Sequence, residues 1–218
     1  YLKNEDVHSL TAKILFEKES IDENERRLGK TINFGVIYGM GAQRFARSTG
    51  VSIIEAKYFL NRFKERYSKV FKFLEYQEKL ALGQGYVETL LGRRRYFHFN
   101  KNGLGRLLGT PLEEIDLSRA RRAGMEAQQL RAAANAPIQG SSADIIKVAM
   151  VKLNAKLKET GLSAKILLQV HDELVLEVDP KELEETKLLV QNTMENAVKL
   201  SVPLIIETGV GVNWMETK

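Results

Sequence analysis

Arg26, Lys30, Phe34 and Tyr38 stand four residues apart. On a helix each four-residue step drifts by about 40°, so the four side chains would share a sector of about 120° over a length of about 18 Å. That length, with two cations followed by two aromatic rings, suits a nucleoside triphosphate. The phosphates would lie towards the helix N-terminus, where the dipole and free N–H groups already favour anions, and the base and sugar would lie against the rings. Gly35 beside the stripe would let a base or another chain segment approach closely. An ordinary amphipathic helix gives the same spacing, with its aromatics in the core and its basic stems reaching to water.

A second group with chemical potential is Val170-His171-Asp172-Glu173-Leu174, where two carboxylates sit at the joint of two apolar strands. Charge there is costly unless it is paired, metal-bound or solvated. A tight reversal normally asks for Asn-Gly or a similar pair, and His-Asp has no glycine. Strain or function is the usual reason for such a departure, so the turn reads either as a metal ligand or as a solvated hairpin tip. Neighbouring strand residues point to opposite faces, so Asp172 and Glu173 could not build a two-metal site alone.

The elements that must position these groups follow from periodicity and punctuation. A helix is predicted over residues 1 to about 20, with Asn4 or Asp6 as cap and Val7, Leu10, Ile14 and Leu15 on one face. A second runs from about Asn24 to Met40, with Gly41 as its stop. Ile53 to Leu82 reads as two helices broken near Ser68, ended by Gly83-Gln84-Gly85. Tyr86 to Leu91 reads as a strand, Gly92 as a turn, and Arg93 to Pro111 as an exposed basic loop. Glu113 to Ala134 is expected to be helical and to end at Pro137, and Ser141 to Asp144 to cap a further helix to about Glu159. Strands are predicted at Lys165–Val170 and Leu174–Val178, a helix from Pro180 to about Leu200, and a last strand from Pro203 to Val212. Helices first, then a small antiparallel sheet with helices, give an α+β chain.

Composition narrows the function. The 218 residues are 44% hydrophobic and 28% charged, enough for a core, with no apolar run near the length of a membrane span. The absence of cysteine rules out disulfide scaffolds and thiolate chemistry and is compatible with a cytoplasmic location. No signal sequence precedes the first helix, and the opening at Tyr1 reads as a piece of something longer. From Arg44 to Arg106, 14 basic residues face five acids, a net of +9; from Asp172 to Lys218, ten acids face four lysines, a net of −6. The middle could hold a polyanion and the tail could not, although solvated helix faces carry the same bias.

Arg26-Arg27-Leu28-Gly29-Lys30-Thr31-Ile32-Asn33-Phe34-Gly35-Val36-Ile37-Tyr38-Gly39 resembles motif B of the family A DNA polymerases, the bacterial DNA polymerase I family, with every pattern position filled. The resemblance implies that Arg26 and Lys30 hold the triphosphate, Phe34 packs on the sugar and Tyr38 stacks near the templating base. Glu5-Asp6-Val7-His8 is similar to the family segment whose His touches the phosphates, although His8 also fits a capped surface residue. His171-Asp172-Glu173 resembles motif C, which implies Asp172 as a ligand of catalytic Mg2+, Glu173 as its support and His171 near the primer terminus. Thr89 to Arg95 resembles a phosphate-directed segment carrying Arg93, Arg94 and Arg95, and these fit a solvated loop equally well. Arg131, Asn135 and Gln139 lie in another similar segment; four apart, they could donate to minor-groove acceptors that every correct pair presents, or cap backbone around Pro137.

The resemblance runs from about Glu5 to Trp214, and only residues 97–129 are longer and more basic than the family leads one to expect. It implies template-directed DNA synthesis from dNTPs on primer–template DNA by a two-metal mechanism. It also implies a helical fingers region over 1–130, a C-terminal part of a palm over 131–218, and a monomer without membrane contact. The aspartate of motif A is not among these residues, and Asp6 and Asp144 read as caps. The chain is therefore expected to be a fragment without motif A, thumb or exonuclease, and inactive alone. The alternatives are a phage-type single-subunit RNA polymerase fragment, against which Phe34 and Glu173 speak, and a non-catalytic DNA-binding module.

Overall fold

A computed structural model describes residues 6–217, so Asn4 and Glu5 lie outside the described residues. The chain folds as α+β in two compact units that divide between Ile138 and Gln139.

In the first unit, α1 (Val7–Phe16) starts at the Asp6 cap, whose carboxylate accepts from the His8 and Ser9 amides. The expected face shifts: Thr11, Ala12 and Leu15 are buried, whereas Leu10 is exposed. α2 (Glu23–Ile37) is followed by Gly39 at φ +78°. Gly41 does not stop α2; it caps α3 (Ala42–Thr49), a helix that the sequence reading missed. α4 (Ile53–Arg66) opens with a reciprocal Ser52/Glu55 capping box, and α5 (Ser68–Gly83) follows across the predicted break. Leu15, Ile32, Phe45, Phe59, Leu60 and Phe63 from α1 to α4 close one core.

The predicted basic loop is only partly a loop. β1 (Tyr86–Glu88) pairs antiparallel with β2 (Arg94–Tyr96). Beyond it, 3-10 turns at Leu104–Leu107 and Leu112–Glu114 are anchored by buried Leu104 and by the Glu126 carboxylate, which accepts from the amides of Asn100 at 2.7 Å and Leu104 at 3.3 Å. The helix expected from Glu113 is broken as well. The carboxylate of Asp116 caps the short α6 (Leu117–Ala120), and Gly124 takes φ +60° before α7 (Glu126–Thr160) begins.

Pro137 does not end α7, and Ser141 to Asp144 are helix interior rather than a cap; Asp144 is buried there. A proline in a helix interior costs about 3 kcal/mol, because it has no N–H for the carbonyl four residues back. The small buried residues around it outweigh this, since Ala133 and Ala136 pack with Ala81, Val87 and Phe97 in a second core.

In the second unit β3 (Lys165–Val170) pairs antiparallel with β4 (Glu173–Glu177), and a 3-10 turn at Pro180–Glu182 leads into α8 (Leu183–Glu195). Leu153, Leu157, Ala164 and Val190 form its core. The strand expected at Pro203–Val212 is absent, as the only pairings among the described residues are β1 with β2 and β3 with β4. Ile205, Val210 and Val212 are exposed there, and β-branched residues without a neighbouring ladder do not make a strand.

Candidate functional site

The first unit holds a cavity of about 400 Å³ beside α2. Lys30, Phe34, Gly35 and Tyr38 line it from α2, and Met40 and Arg44 close it. Phe34 and Tyr38 are each about half exposed, at 52% and 51%. Core aromatics would be buried, so the amphipathic-helix alternative fails for this stripe. Gly35 earns its place as well: a Cβ there would stand 2.6 Å from Met40 Cε.

Two cations at the cavity were not expected. Arg27 lies one turn before Lys30, and Arg44 comes from α3. Arg27, Lys30 and Arg44 with no lining carboxylate make the cavity a receptor for an anion. Arg27 was legible in the sequence as the i−3 neighbour of Lys30, but Arg44 was not, because α3 was not foreseen.

Arg26 is not among the lining residues; its Nε donates to Asp6 Oδ2 at 2.7 Å. The first turn of α2 is also not open for phosphate, since the Glu25 amide donates to Asp22 Oδ1 at 2.8 Å. Anion binding here therefore falls to side chains rather than to helix-end amides. Asp6 takes further bonds from the Ser9 hydroxyl and from the His8 and Ser9 amides. The Ser9 hydroxyl first, and Arg26 second, hold its carboxyl well below the usual carboxylate range.

His8 reaches the same stripe. α1 and α2 cross so closely at Gly29 that a Cβ there would collide with the His8 carbonyl oxygen. The His8 ring lies 5.5 Å from the Phe34 ring, and its Nδ1 is 3.1 Å from Asn33 Nδ2.

In the second unit the pairing of Val170 with Glu173 leaves His171 and Asp172 as a two-residue turn. His171 takes φ +53°, a left-handed conformation that a non-glycine residue adopts only under strain. Its carbonyl accepts from Gln169 Nε2 at 2.5 Å. His171, Asp172 and Glu173 are all exposed. Carboxylate oxygens suit Mg2+, and these two residues supply part of a ligand set. Among the described residues no three His, Asp or Glu side chains gather into a metal-holding group.

On the β1–β2 hairpin Arg94 is paired with Glu88 at 2.8 Å and lies 4.5 Å over the Tyr86 ring, and Arg95 lies 5.2 Å over Phe97. Asn135 is buried, with its Nδ2 donating to the Arg131 carbonyl at 3.0 Å; Arg131 and Gln139 are exposed. No helix among the described residues is long and apolar enough to cross a membrane.

The sequence matches the profile of DNA polymerase family A over residues 1–216. It is 56% identical to DNA polymerase I of Synechocystis sp. over 218 residues, covering all of this chain and 22% of that protein. It is 42% identical to the thermostable DNA polymerase I of Thermus filiformis over 220 residues, again covering all of this chain and 24% of the relative. The chain thus spans about a quarter of the length of these relatives. Among solved structures it resembles the POL domain of Pol1 from M. smegmatis in complex with DNA primer–template and dNTP. The TM-score is 0.81 at 36% identity, over 99% of this chain and 35% of that one.

Proposed function

The chain belongs to DNA polymerase family A, and from that premise we propose that it supplies the nucleotide-binding and part of the catalytic surface for template-directed DNA synthesis. The observation that carries this reading is the anion-receptive cavity at Lys30 with half-exposed Phe34 and Tyr38 beside it. In this reading Lys30, Arg26 and His8 hold the triphosphate of a dNTP, Phe34 meets the sugar, and Tyr38 stacks near the templating base. Residues 1–130 act as fingers and 131–218 as the C-terminal part of a palm, in a cytoplasmic monomer. Arg93, Arg94, Arg95, Arg131, Asn135 and Gln139 engage primer–template DNA. Arg27 and Arg44 join the triphosphate site.

In nucleotidyl transfer the primer 3′-oxygen bonds to the α-phosphorus, the bond to the bridging oxygen breaks, and pyrophosphate leaves as the 3′-hydroxyl loses its proton. Mg2+ would lower the cost of that proton loss and of the charge on the leaving group. Asp172 would hold it, with Glu173 as support and His171 near the primer end. The chain's own cations neutralise the triphosphate and align it, which is most of what phosphoryl transfer asks of a protein.

The test is a chimera in which this chain replaces the matching 218 residues of the Synechocystis polymerase. Primer extension should be retained. Lys30→Ala should raise the dNTP KM by about tenfold or more with duplex binding unchanged. Asp172→Ala should lower kcat by roughly 1,000-fold or more with dNTP affinity much less affected. Near-normal turnover in the Asp172→Ala chimera would remove the chemistry from this reading.

A further inference from the structure

A line of four side chains runs from the buried junction of α4 and α5 to the cavity stripe. Tyr67 Oη lies 3.2 Å from Thr11 Oγ1, Thr11 Oγ1 donates to Asn33 Oδ1 at 3.0 Å, and Asn33 Nδ2 lies 3.1 Å from His8 Nδ1. Thr11 is fully buried.

The direction of every proton in this line follows from donor chemistry. Asn33 Nδ2 also reaches the Val7 carbonyl at 3.4 Å, and a carbonyl only accepts. Thr11 on the other side needs an acceptor for its proton, so the amide oxygen faces Thr11 and the nitrogen faces His8. An amide nitrogen has no acceptor capacity, so His8 Nδ1 must present a lone pair to it. A neutral imidazole with a lone pair on Nδ1 carries its proton on Nε2. The one proton of Thr11 goes to Asn33, which leaves Tyr67 to donate to Thr11. With the Thr11 hydroxyl out of reach of solvent, no water competes for these bonds.

We infer that Asn33, held by Thr11 and Tyr67, is a positioning residue that fixes the neutral His8 ring as its Nε2–H tautomer, so that His8 meets the triphosphate as a hydrogen-bond donor. The inference rests on the nucleotide-binding reading given above. A ring with the opposite tautomer would offer the phosphates a lone pair and repel them. The line therefore makes His8 useful without requiring it to be charged, and Asn33 acts without touching the nucleotide.

The chain has three histidines, His8, His98 and His171, so the ring nitrogens of His8 can be assigned in 15N–1H correlation spectra of the 218-residue chain through His98→Gln and His171→Gln. At about pH 8.5, above the ordinary imidazole range, His8 should show a protonated Nε2 and a bare Nδ1. Asn33→Asp keeps the shape and still accepts from Thr11, but it presents only acceptors to His8; the proton should move to Nδ1 and the dATP dissociation constant should rise about tenfold. Thr11→Val should shift the ring towards a mixture of tautomers. A wild-type ring protonated on Nδ1, an even mixture, or a pattern unmoved by both substitutions would overturn the inference. The wild-type spectrum decides even if neither variant folds. Lys30→Ala probes the nucleotide site separately: unchanged dATP affinity in that variant would count against the site while leaving the His8 spectrum as it is.

Discussion

The stem of Arg131 lies against Gly39, so that a Cβ on Gly39 would stand 2.5 Å from Arg131 Cδ, and Gly39 itself takes φ +78°. The residue after the Tyr38 ring thus gives a seat to a side chain of α7, and only glycine satisfies both the close approach and the left-handed backbone.

Gly39→Ala should lower the stability of the first unit by about 1–2 kcal/mol from the backbone alone, with Arg131 displaced in addition. Urea unfolding measures the first effect. A midpoint within experimental error of the wild type would mean that the seat is not needed.

Asp6 caps α1 and pairs with Arg26, and two substitutions separate these roles. Asp6→Ala should cost roughly 1 kcal/mol through the cap, whereas Asp6→Asn should cost only a few tenths because asparagine caps as well. The carboxyl is held below the ordinary range, so its stabilising effect is complete above about pH 4 and fades as the pH falls further. Thermal melts of wild type and Asp6→Asn should therefore converge at the acid end; a gap that widens there would contradict the pairing.

Arg121 forks onto the buried Glu78 through Nε at 3.0 Å and Nη2 at 2.6 Å. Burial raises the Glu78 carboxyl above its usual range, against the pull of Arg121. Arg121→Ala should cost about 2 kcal/mol at neutral pH, because an ionised carboxylate is left buried without its partner. The sign with pH follows from the raised carboxyl: stability is present below the ordinary glutamate range and lost as the pH climbs through the raised value. The deficit of the variant should accordingly be small near pH 4 and grow towards pH 7, in urea midpoints at the two values.

Arg94 is already neutralised by Glu88, which separates it from its neighbours on the hairpin. In salt titrations of duplex DNA binding, the triple change of Arg93, Arg94 and Arg95 to Ala should flatten the slope of log affinity by about 2, not about 3, since each phosphate contact contributes about 0.9. Arg94→Ala alone should leave the slope nearly unchanged. An equal effect at all three positions would mean that the Glu88 pair opens on DNA.

Local chemistry made the α2 stripe, the β3–β4 hairpin and the break at Ser68 readable, because spacing, alternation and turn composition act over a few residues. Tertiary forces hid the rest. Pro137 is a strong local stop, yet the alanines around it are buried against Phe97 and Val87, and packing carried the helix through. Pro203–Val212 has strand composition but no partner among the described residues, and a strand depends on its neighbour more than on itself. At the site, Phe34 and Tyr38 could have been core residues on spacing alone; only their exposure distinguishes them. Arg44 stayed hidden because α3 is short and its cap, Gly41, also reads as a stop.

His171 holds the hairpin turn in a left-handed conformation that glycine would adopt without penalty. The side chain costs the fold about 1 kcal/mol or more. What it returns is a narrower range of thermal motion, because a residue with a Cβ has few escape routes from that basin and glycine has many. The carboxylate of Asp172, next along the chain, therefore inherits a smaller positional spread than a glycine turn would allow, and a reaction that loses rate with each fraction of an ångström of misplacement draws its benefit from that confinement.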